Sequence, residues 1–553
     1  MTDDQTSNAL WVDSRRLFGA SLWLDAPGAV LEATLTPGRE AAEIAAWHAH
    51  VRALTTRVGW KSERRVRGAV LAFTAPVDAL LAATMVNEWA WTRAAADGAA
   101  RAAATGDPTE PRLPIDDDAA AEATLRNHIA QEANPAFIAL LTRARAMQVP
   151  LLFDDSELSL GYGIHSACWP LSALPQPGDV EWAHHLGVPV ALVTGSNGKT
   201  TTVRLVAAML ARAGHTVGYC CSDGVFIDGV QVERGDFSGP AGARLVLRDT
   251  RVTAAVLETA RGGLLRRGLA VPSADAAIVT NIAEDHFGGY GIESLTDLAQ
   301  AKLVVAHALD VRGTLVLNAQ DPTLRTVRTA QVERHRGPTL WFRDDEPVDG
   351  VPPADAMPFT LRGVARHNIA NANGAALVAR ALGVTPAQIE ATLRVFGRSN
   401  QDNPGRLERF ERNGVRIWID YAHNPHGMQF LMDAALAERG AGRLGLLLGQ
   451  AGDRDDAAIR ALARTAWGAR PDHVVLKDID GYLRGRAAGD VPALMRDELL
   501  TLGAARETIE ESTDETDGVA RLLRWAIPGD LLVLPVHALD ARDRAKSLIM
   551  RSS

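Results

Sequence analysis

One segment constrains this chain more than any other. Gly195-Ser196-Asn197-Gly198-Lys199-Thr200-Thr201 follows the apolar run 187–194 and opens a helical pattern that continues to residue 214. A compact apolar run reads as a buried strand, and the segment after it has the spacing of an amphipathic helix. Glycines in such a strand-to-helix turn let successive N–H groups converge on phosphate oxygens at the helix N-terminus. Lys199 supplies a point charge for the outer phosphates, and the Thr200 hydroxyl suits Mg²⁺. The common G-x-x-x-x-G-K-[ST] loop needs glycine at position 193, where this chain has Val193. The loop here is the shorter G-x-x-G-K-T-T. By itself it does not choose among kinase, switch and ligase.

The sequence around the loop predicts an α/β fold. Strand-like runs at 252–259, 274–282 and 313–319 alternate with helical segments, the pattern of a doubly wound parallel sheet covered on both faces. A second and smaller α/β block starts near Pro404, with runs at 415–422, 443–449, 472–477 and 530–536. Residues 1–93 mix short strand-like runs with one helical pattern at 78–94, which predicts an α+β unit. Residues 94–104 are Ala-rich, and the Pro/Asp-rich stretch 106–118 that follows cannot hold a regular helix and reads as a flexible loop or linker. A helix-like stretch spans 123–148. The resulting division is 1–186, 187–403 and 404–553.

With 553 residues and 47% apolar residues, the chain can bury three or four domain cores. Its formal net charge of −9 argues against a general nucleic-acid or anionic-membrane binder. Three cysteines, Cys168, Cys220 and Cys221, make no disulfide framework and have no metal-ligand spacing, which points to a reducing compartment. No segment has the run of roughly 18 apolar residues that a membrane helix needs. The first residues carry early acids and no apolar core of a secretion signal, so the expectation is a cytoplasmic protein.

Further residues converge on the loop's side of the sheet. Glu258 ends a strand-like run, and in an open parallel sheet the C-terminal strand edge is where ligands bind. Asn281, Asp285 and His286, in Thr280-Asn281-Ile282-Ala283-Glu284-Asp285-His286, reach the same edge. Lys302 follows on a helix. Asn318-Ala319-Gln320-Asp321 comes after another strand, and Arg366-His367-Asn368-Ile369-Ala370-Asn371 starts another helix. The third block holds Asn403-Pro404-Gly405-Arg406-Leu407-Glu408, Asp420-Tyr421-Ala422-His423-Asn424-Pro425 and the turn Gly449-Gln450-Ala451-Gly452-Asp453-Arg454.

The loop G-[TS]-N-G-K-T-T and these motifs, in this order, resemble the Mur ligase family of ATP-dependent amide-forming enzymes. The resemblance implies a three-domain architecture with a central phosphate-loop domain. It implies that Gly195, Ser196, Asn197, Gly198, Lys199, Thr200 and Thr201 bind ATP together with Asn281, Arg406, Asp420 and His423. It makes Thr200, Glu258 and His286 the Mg²⁺ residues, with Lys199, Glu258, His286 and Lys302 in the catalytic set. Lys302 stands where several members carry a carbamylated lysine. The Asn318–Asp321 turn and the Arg366–Asn371 helix start read as structural.

Within the family, the chain resembles most the ligase part of cyanophycin synthetases. The matching segments are Asp223-Gly224-Val225-Phe226-Ile227-Asp228-Gly229, Gly235-Asp236-Phe237-Ser238-Gly239-Pro240 with Arg244, residues 258–269, and Leu483-Arg484-Gly485-Arg486. The stretch between the first block and the loop is too short for an ATP-grasp domain, which excludes a two-site polymerase. Thr84-Met85-Val86-Asn87-Glu88 lacks the histidine of the zinc-type motif some relatives carry there, so no hydrolase metal site is expected.

The expected reaction joins an amine or amino acid to a small or peptide-like carboxylate through an acyl phosphate, releasing ADP and phosphate. Arg484 and Arg486 are the expected substrate residues, because guanidinium forks suit a carboxylate. Glutamyl addition to a cofactor or polymer, and a nucleotide-binding regulatory subunit without catalysis, stay open as alternatives. So do the identity of the amine and the oligomeric state.

Overall fold

The computed structural model describes residues 9–96, 112–284, 287, 289–327, 332–333, 335–479 and 481–550. Most of the 94–104 and 106–118 stretches therefore lies outside the described residues.

The central sheet has eight strands, and its fully buried strand Val190–Thr194 carries the phosphate loop. This strand pairs in parallel with Ala254–Glu258 on one side and Ala274–Val279 on the other. Val217–Cys221 lies beyond the first neighbour, and Leu309–Asn318 and Thr339–Phe342 lie beyond the second. The chain thus winds one way from the central strand and then the other. That reversal opens a crevice at the strand's C-terminal end, where the loop sits. Continuous apolar strands such as Val-Ala-Leu-Val form here because both faces are covered, one by a core including Val203, Val206 and Leu210 of the following helix.

The sheet departs from the all-parallel expectation at one edge. Gly224–Ile227 and Val230–Arg234 form an antiparallel hairpin that extends it past Val217–Cys221. The turn is Asp228-Gly229, both with positive φ (50° and 76°). An Asp-Gly pair between short β-prone runs is a hairpin signal in its own right.

A six-stranded sheet forms from Glu408–Arg412 onward, in the order Glu408–Arg412, Val415–Asp420, Leu531–Pro535, Leu444–Leu448, His473–Leu476, Ile509–Glu511. Its first pair is antiparallel and the others are parallel. At the other end of the chain, a four-stranded antiparallel sheet packs against helix Leu80–Ala94, which in turn packs against helix Glu40–Arg57. Asn87 is fully buried there, accepting from Trp47 Nε1 at 2.8 Å and donating to the Leu71 carbonyl at 3.2 Å. This unit docks on the central one through Phe18 N to Arg267 O (2.9 Å) and Leu269 N to Ala20 O (2.7 Å).

The helix expected over 123–148 is two helices, Asp118–Glu132 and Pro135–Met147. Pro135 cannot continue the first, and the Asn134 side chain caps the second by accepting from Phe137 N. Among the described residues, no helix is long and apolar enough to cross a membrane.

Candidate active site

The phosphate loop is built by glycines whose backbone no other residue replaces cheaply. Gly195 has φ +146° and Gly198 φ +81°, and added Cβ atoms would run into Thr280 Oγ1 and Asn371 Oδ1 respectively. Helix Lys199–Arg212 starts at Gly198 with no side-chain cap. Its first turn is therefore open to an anion.

The next strand over holds the loop in shape. Ser196 N donates to Asn281 O (2.9 Å) and Asn197 N to Asn281 Oδ1 (3.0 Å). Asn281 Nδ2 and Thr280 Oγ1 both donate to the Asn197 carbonyl, at 3.1 and 2.6 Å. Lys302, 2% exposed, donates to the Gly195 carbonyl at 2.9 Å from beneath. Lys199 Nζ donates to Ser196 O at 3.0 Å, folded over its own loop.

Glu258 lies beside the loop, 2% exposed. Its Oε2 accepts from Thr200 Oγ1 at 2.7 Å, and Thr200 Oγ1 is also 3.2 Å from Ser222 Oγ. Burial raises the Glu258 pKa above the usual carboxylate value, and the Lys199 charge offsets this only in part. Among the described residues, no three His, Cys, Asp or Glu side chains cluster as a metal site. One carboxylate beside a hydroxyl is the set of hard oxygens that Mg²⁺ uses when phosphates and water complete its shell. The residues present fit that ion.

The C-terminal unit closes over this edge. Arg406 donates to Ser222 Oγ at 3.2 Å, and its guanidinium lies 4.3 Å from the centre of the Tyr421 ring. Asp420 is turned to its own backbone, accepting from Leu407 N and Ala422 N at 2.8 Å each. Burial raises its pKa, against the opposing pull of these backbone N–H groups and Arg406. Asn197 meets Asn424 Nδ2 and His426 Nδ1, each at 3.0 Å. His423 Nδ1 is 3.1 Å from the Tyr421 carbonyl.

The structure thus brings Gly195–Thr201, Glu258, Asn281 and Lys302 together at one sheet edge, with Arg406 of the C-terminal unit reaching Ser222 beside them and Asp420 held on its own backbone. His286 and Asp285 lie outside the described residues. Arg484 and Arg486 belong to the C-terminal unit and follow Tyr482, which lines the cleft described below. Arg484 has φ +51° and its guanidinium lies 4.9 Å from the Tyr482 ring centre. Arg486 is engaged with the Gly452 and Arg454 carbonyls (3.0 and 2.7 Å) and with Asp456 (2.8 Å), which fastens the 449–454 turn.

The sequence reading missed a buried charge cluster beneath Arg406. Asp223 bonds Arg204 of the loop helix and Arg542 of the last helix. Burial raises its pKa, but Arg406, Arg204 and Arg542 together outweigh that and hold it well below the carboxylate range. Arg204 also binds Asn403 Oδ1 and Pro404 O, at 3.1 and 3.0 Å, where the chain passes between the two units. Asp223 was noticed only as part of a motif. Nothing in local spacing marks Arg204, Ser222 or Arg542, which meet only through the fold. Beside this cluster lies a cleft of about 540 Å³, lined in part by Ser222, Arg234, Asp236, Tyr421, His537 and Arg542.

Residues 193–379 match the Mur ligase middle domain and residues 405–535 the Mur ligase glutamate ligase domain, together more than half of the chain. A cyanophycin synthetase of Geminocystis herdmanii is 34% identical over 64% of this chain and 42% of that protein. One from Crocosphaera subtropica is 35% identical over 66% of this chain and 44% of that protein. The chain spans less than half the length of these relatives. A UDP-N-acetylmuramoyl-L-alanyl-D-glutamate–2,6-diaminopimelate ligase of Corynebacterium glutamicum is 28% identical, covering 62% of this chain and 69% of that protein. Among solved structures, folylpolyglutamate synthase of Mycobacterium tuberculosis complexed with ADP overlaps 66% of this chain and 91% of its own, with TM-score 0.49 and 19% identity. With both family domains present and in order, the chain belongs to the Mur ligase family.

Proposed function

We propose that the protein is a cytoplasmic ATP-dependent carboxylate–amine ligase. It transfers the γ-phosphoryl group of ATP to a carboxylate, and an amine then attacks the acyl phosphate to give an amide, ADP and phosphate. The division into 1–186, 187–403 and 404–553 belongs to this reading. The observation that carries it is the Thr200–Glu258 contact beside Lys199, with Arg406 of the C-terminal unit reaching the same Ser222 hydroxyl that Thr200 meets.

The residues divide the chemistry between them. The open first turn of helix Lys199–Arg212 and the Lys199 ammonium bind the phosphates and screen them from an incoming carboxylate. Thr200 and Glu258 would hold Mg²⁺, which supplies charge neutralisation at the transferring phosphoryl group. Arg406 adds a cation from the opposite wall, held over the Tyr421 ring. The cleft beside it gives the carboxylate and amine a site from which the C-terminal unit excludes water, as a hydrolysable acyl phosphate requires. The amine attacks through its lone pair, the C–N bond forms as the C–O bond to phosphate breaks, and the amine's proton passes to the departing phosphate or to solvent.

The test is product analysis with a panel of acids and amines. ADP and phosphate appearing only with a matched pair supports the reading, and that pair names the substrates. AMP and pyrophosphate would overturn it, because they mean attack at the α-phosphate.

A further inference from the structure

Behind Tyr421 the C-terminal unit buries a lysine, a glutamate and a histidine in contact. The side chains of Lys477 and Glu515 have no exposure, and His537 is 8% exposed. Lys477 Nζ pairs with Glu515 Oε1 and lies 3.1 Å from His537 Nδ1. Glu515 also accepts the backbone N–H groups of His537 and Ala538, at 2.8 and 2.9 Å. On the far side of the ring, His537 Nε2 is 3.1 Å from the Ala422 carbonyl.

These partners determine the tautomer. Nδ1 faces the Lys477 ammonium at 3.1 Å and, farther away, Glu515 Oε1 at 3.5 Å, while Nε2 faces only the Ala422 carbonyl; the nearer ammonium only donates and the carbonyl only accepts, so the set favours the lone pair on Nδ1 and the proton on Nε2. Burial, and then the Lys477 charge, push the imidazole pKa down to about 4, so the ring is neutral where the enzyme works. Besides Lys477 and Glu515, the titratable groups facing it are Tyr421 and His423. A buried ion pair is weak evidence for stability by itself. This one orients a ring that lines the cleft and meets the Tyr421 ring at 5.2 Å, the same ring that carries the Arg406 guanidinium.

We propose that His537 is a positioning residue of the ligase site. Oriented by Lys477 and Glu515, it pins the Ala422 carbonyl and the Tyr421 ring, and through Tyr421 it aims Arg406 at the phosphate side of the cleft. The activity part of this inference rests on the ligase reading.

The full chain is tested as wild type, His537→Gln and His537→Ala. Glutamine puts a donor where Nε2 sits, whereas alanine puts none. The expected result is that His537→Ala lowers kcat for ADP formation at least about tenfold with ADP affinity held within about twofold, while His537→Gln recovers about half or more. Equal losses in both variants, or a loss in neither, overturn the proposal. Selective ¹⁵N-histidine NMR needs no turnover. The resonance pair missing from His537→Gln must report a neutral, Nε2-protonated ring near neutral pH, and a charged or Nδ1-protonated ring overturns the proposal. A wild type that yields no ADP yet displays this tautomer overturns the ligase reading alone, because the ring's orientation is then established apart from turnover.

Discussion

Two strand-to-helix turns meet at Asn197, and they have the same topology with opposite chemistry. One joins strand Val190–Thr194 to helix Lys199–Arg212, and the other joins strand Val415–Asp420 to helix Pro425–Arg439. The first helix begins at Gly198, in the left-handed region, with no side-chain cap. The second begins at Asn424, whose Oδ1 accepts from Gly427 N at 2.8 Å, with Pro425 next in line. Proline has no N–H to offer, and the asparagine side chain already occupies the Gly427 N–H. In the proposed function the uncapped first turn is the phosphate receptor, and the second delivers side chains. The cap residue, not the topology, decides which role a turn takes.

The largest effect is expected at the receptor. Lys199→Ala should reduce ATP turnover to below about a tenth, a loss of at least ~1.4 kcal/mol in transition-state stabilisation, while the melting midpoint holds. Retained turnover would break the comparison at its root, since the first turn would then be no more a phosphate site than the second. Gly198→Ala comes next. Its backbone would be strained at φ +81° and its Cβ would displace Asn371, so folding stability should fall by more than about 1 kcal/mol. ADP affinity should fall with it, read by calorimetric titration. Unchanged ADP affinity would show that the glycine serves packing alone.

Glu258→Gln separates function from stability. Turnover should drop and recover in part at high Mg²⁺. Stability should move the other way, and the sign follows from burial. The folded-state pKa is raised above the ordinary 4.5, so above that range the folded protein holds a buried charge that the unfolded chain does not. The neutral glutamine removes that burden. Without nucleotide, the variant should therefore melt above wild type at alkaline pH, and the gap should close as the pH falls toward 4.5. A gap that widens on acidification would contradict the burial argument.

The receptor was legible in the sequence because its parts are local. Gly195 to Thr201 are contiguous, Glu258 ends a strand and Asn281 comes two residues after one, so strand order alone carries them to one edge. The deliverer was legible only as motifs. Arg406, Asp420 and Tyr421 were noticed, but their use depends on Ser222, Asp223 and Arg542, which no spacing rule links. Charge alone does not reveal that the Arg486 guanidinium binds the Gly452 and Arg454 carbonyls and Asp456. The antiparallel hairpin at 224–234 had a local signal in Asp228-Gly229, but the alternating strand–helix pattern around it suggested only parallel pairing.

The smallest effect tests the second turn, and a pair of substitutions resolves it. Asn424 does two jobs with two atoms: Oδ1 caps its helix, and Nδ2 donates to Asn197 Oδ1. Asn424→Ala removes both, and losing the cap should cost about 1 kcal/mol of stability in a denaturant titration. Asn424→Asp keeps the acceptor and replaces the donor with an oxygen that faces Asn197 Oδ1. It should retain the cap and most of the stability while weakening the contact between the two units. Asn197 remains held by Asn281 and Thr280 in both variants, so the receptor should keep its shape and ADP affinity should change little. The aspartate variant should instead lose turnover at unchanged ADP affinity, because only the approach of the C-terminal unit is impaired. If either variant lost ADP affinity about tenfold or more, ~1.4 kcal/mol, the two turns would form a single nucleotide site and the division between receptor and deliverer would fail.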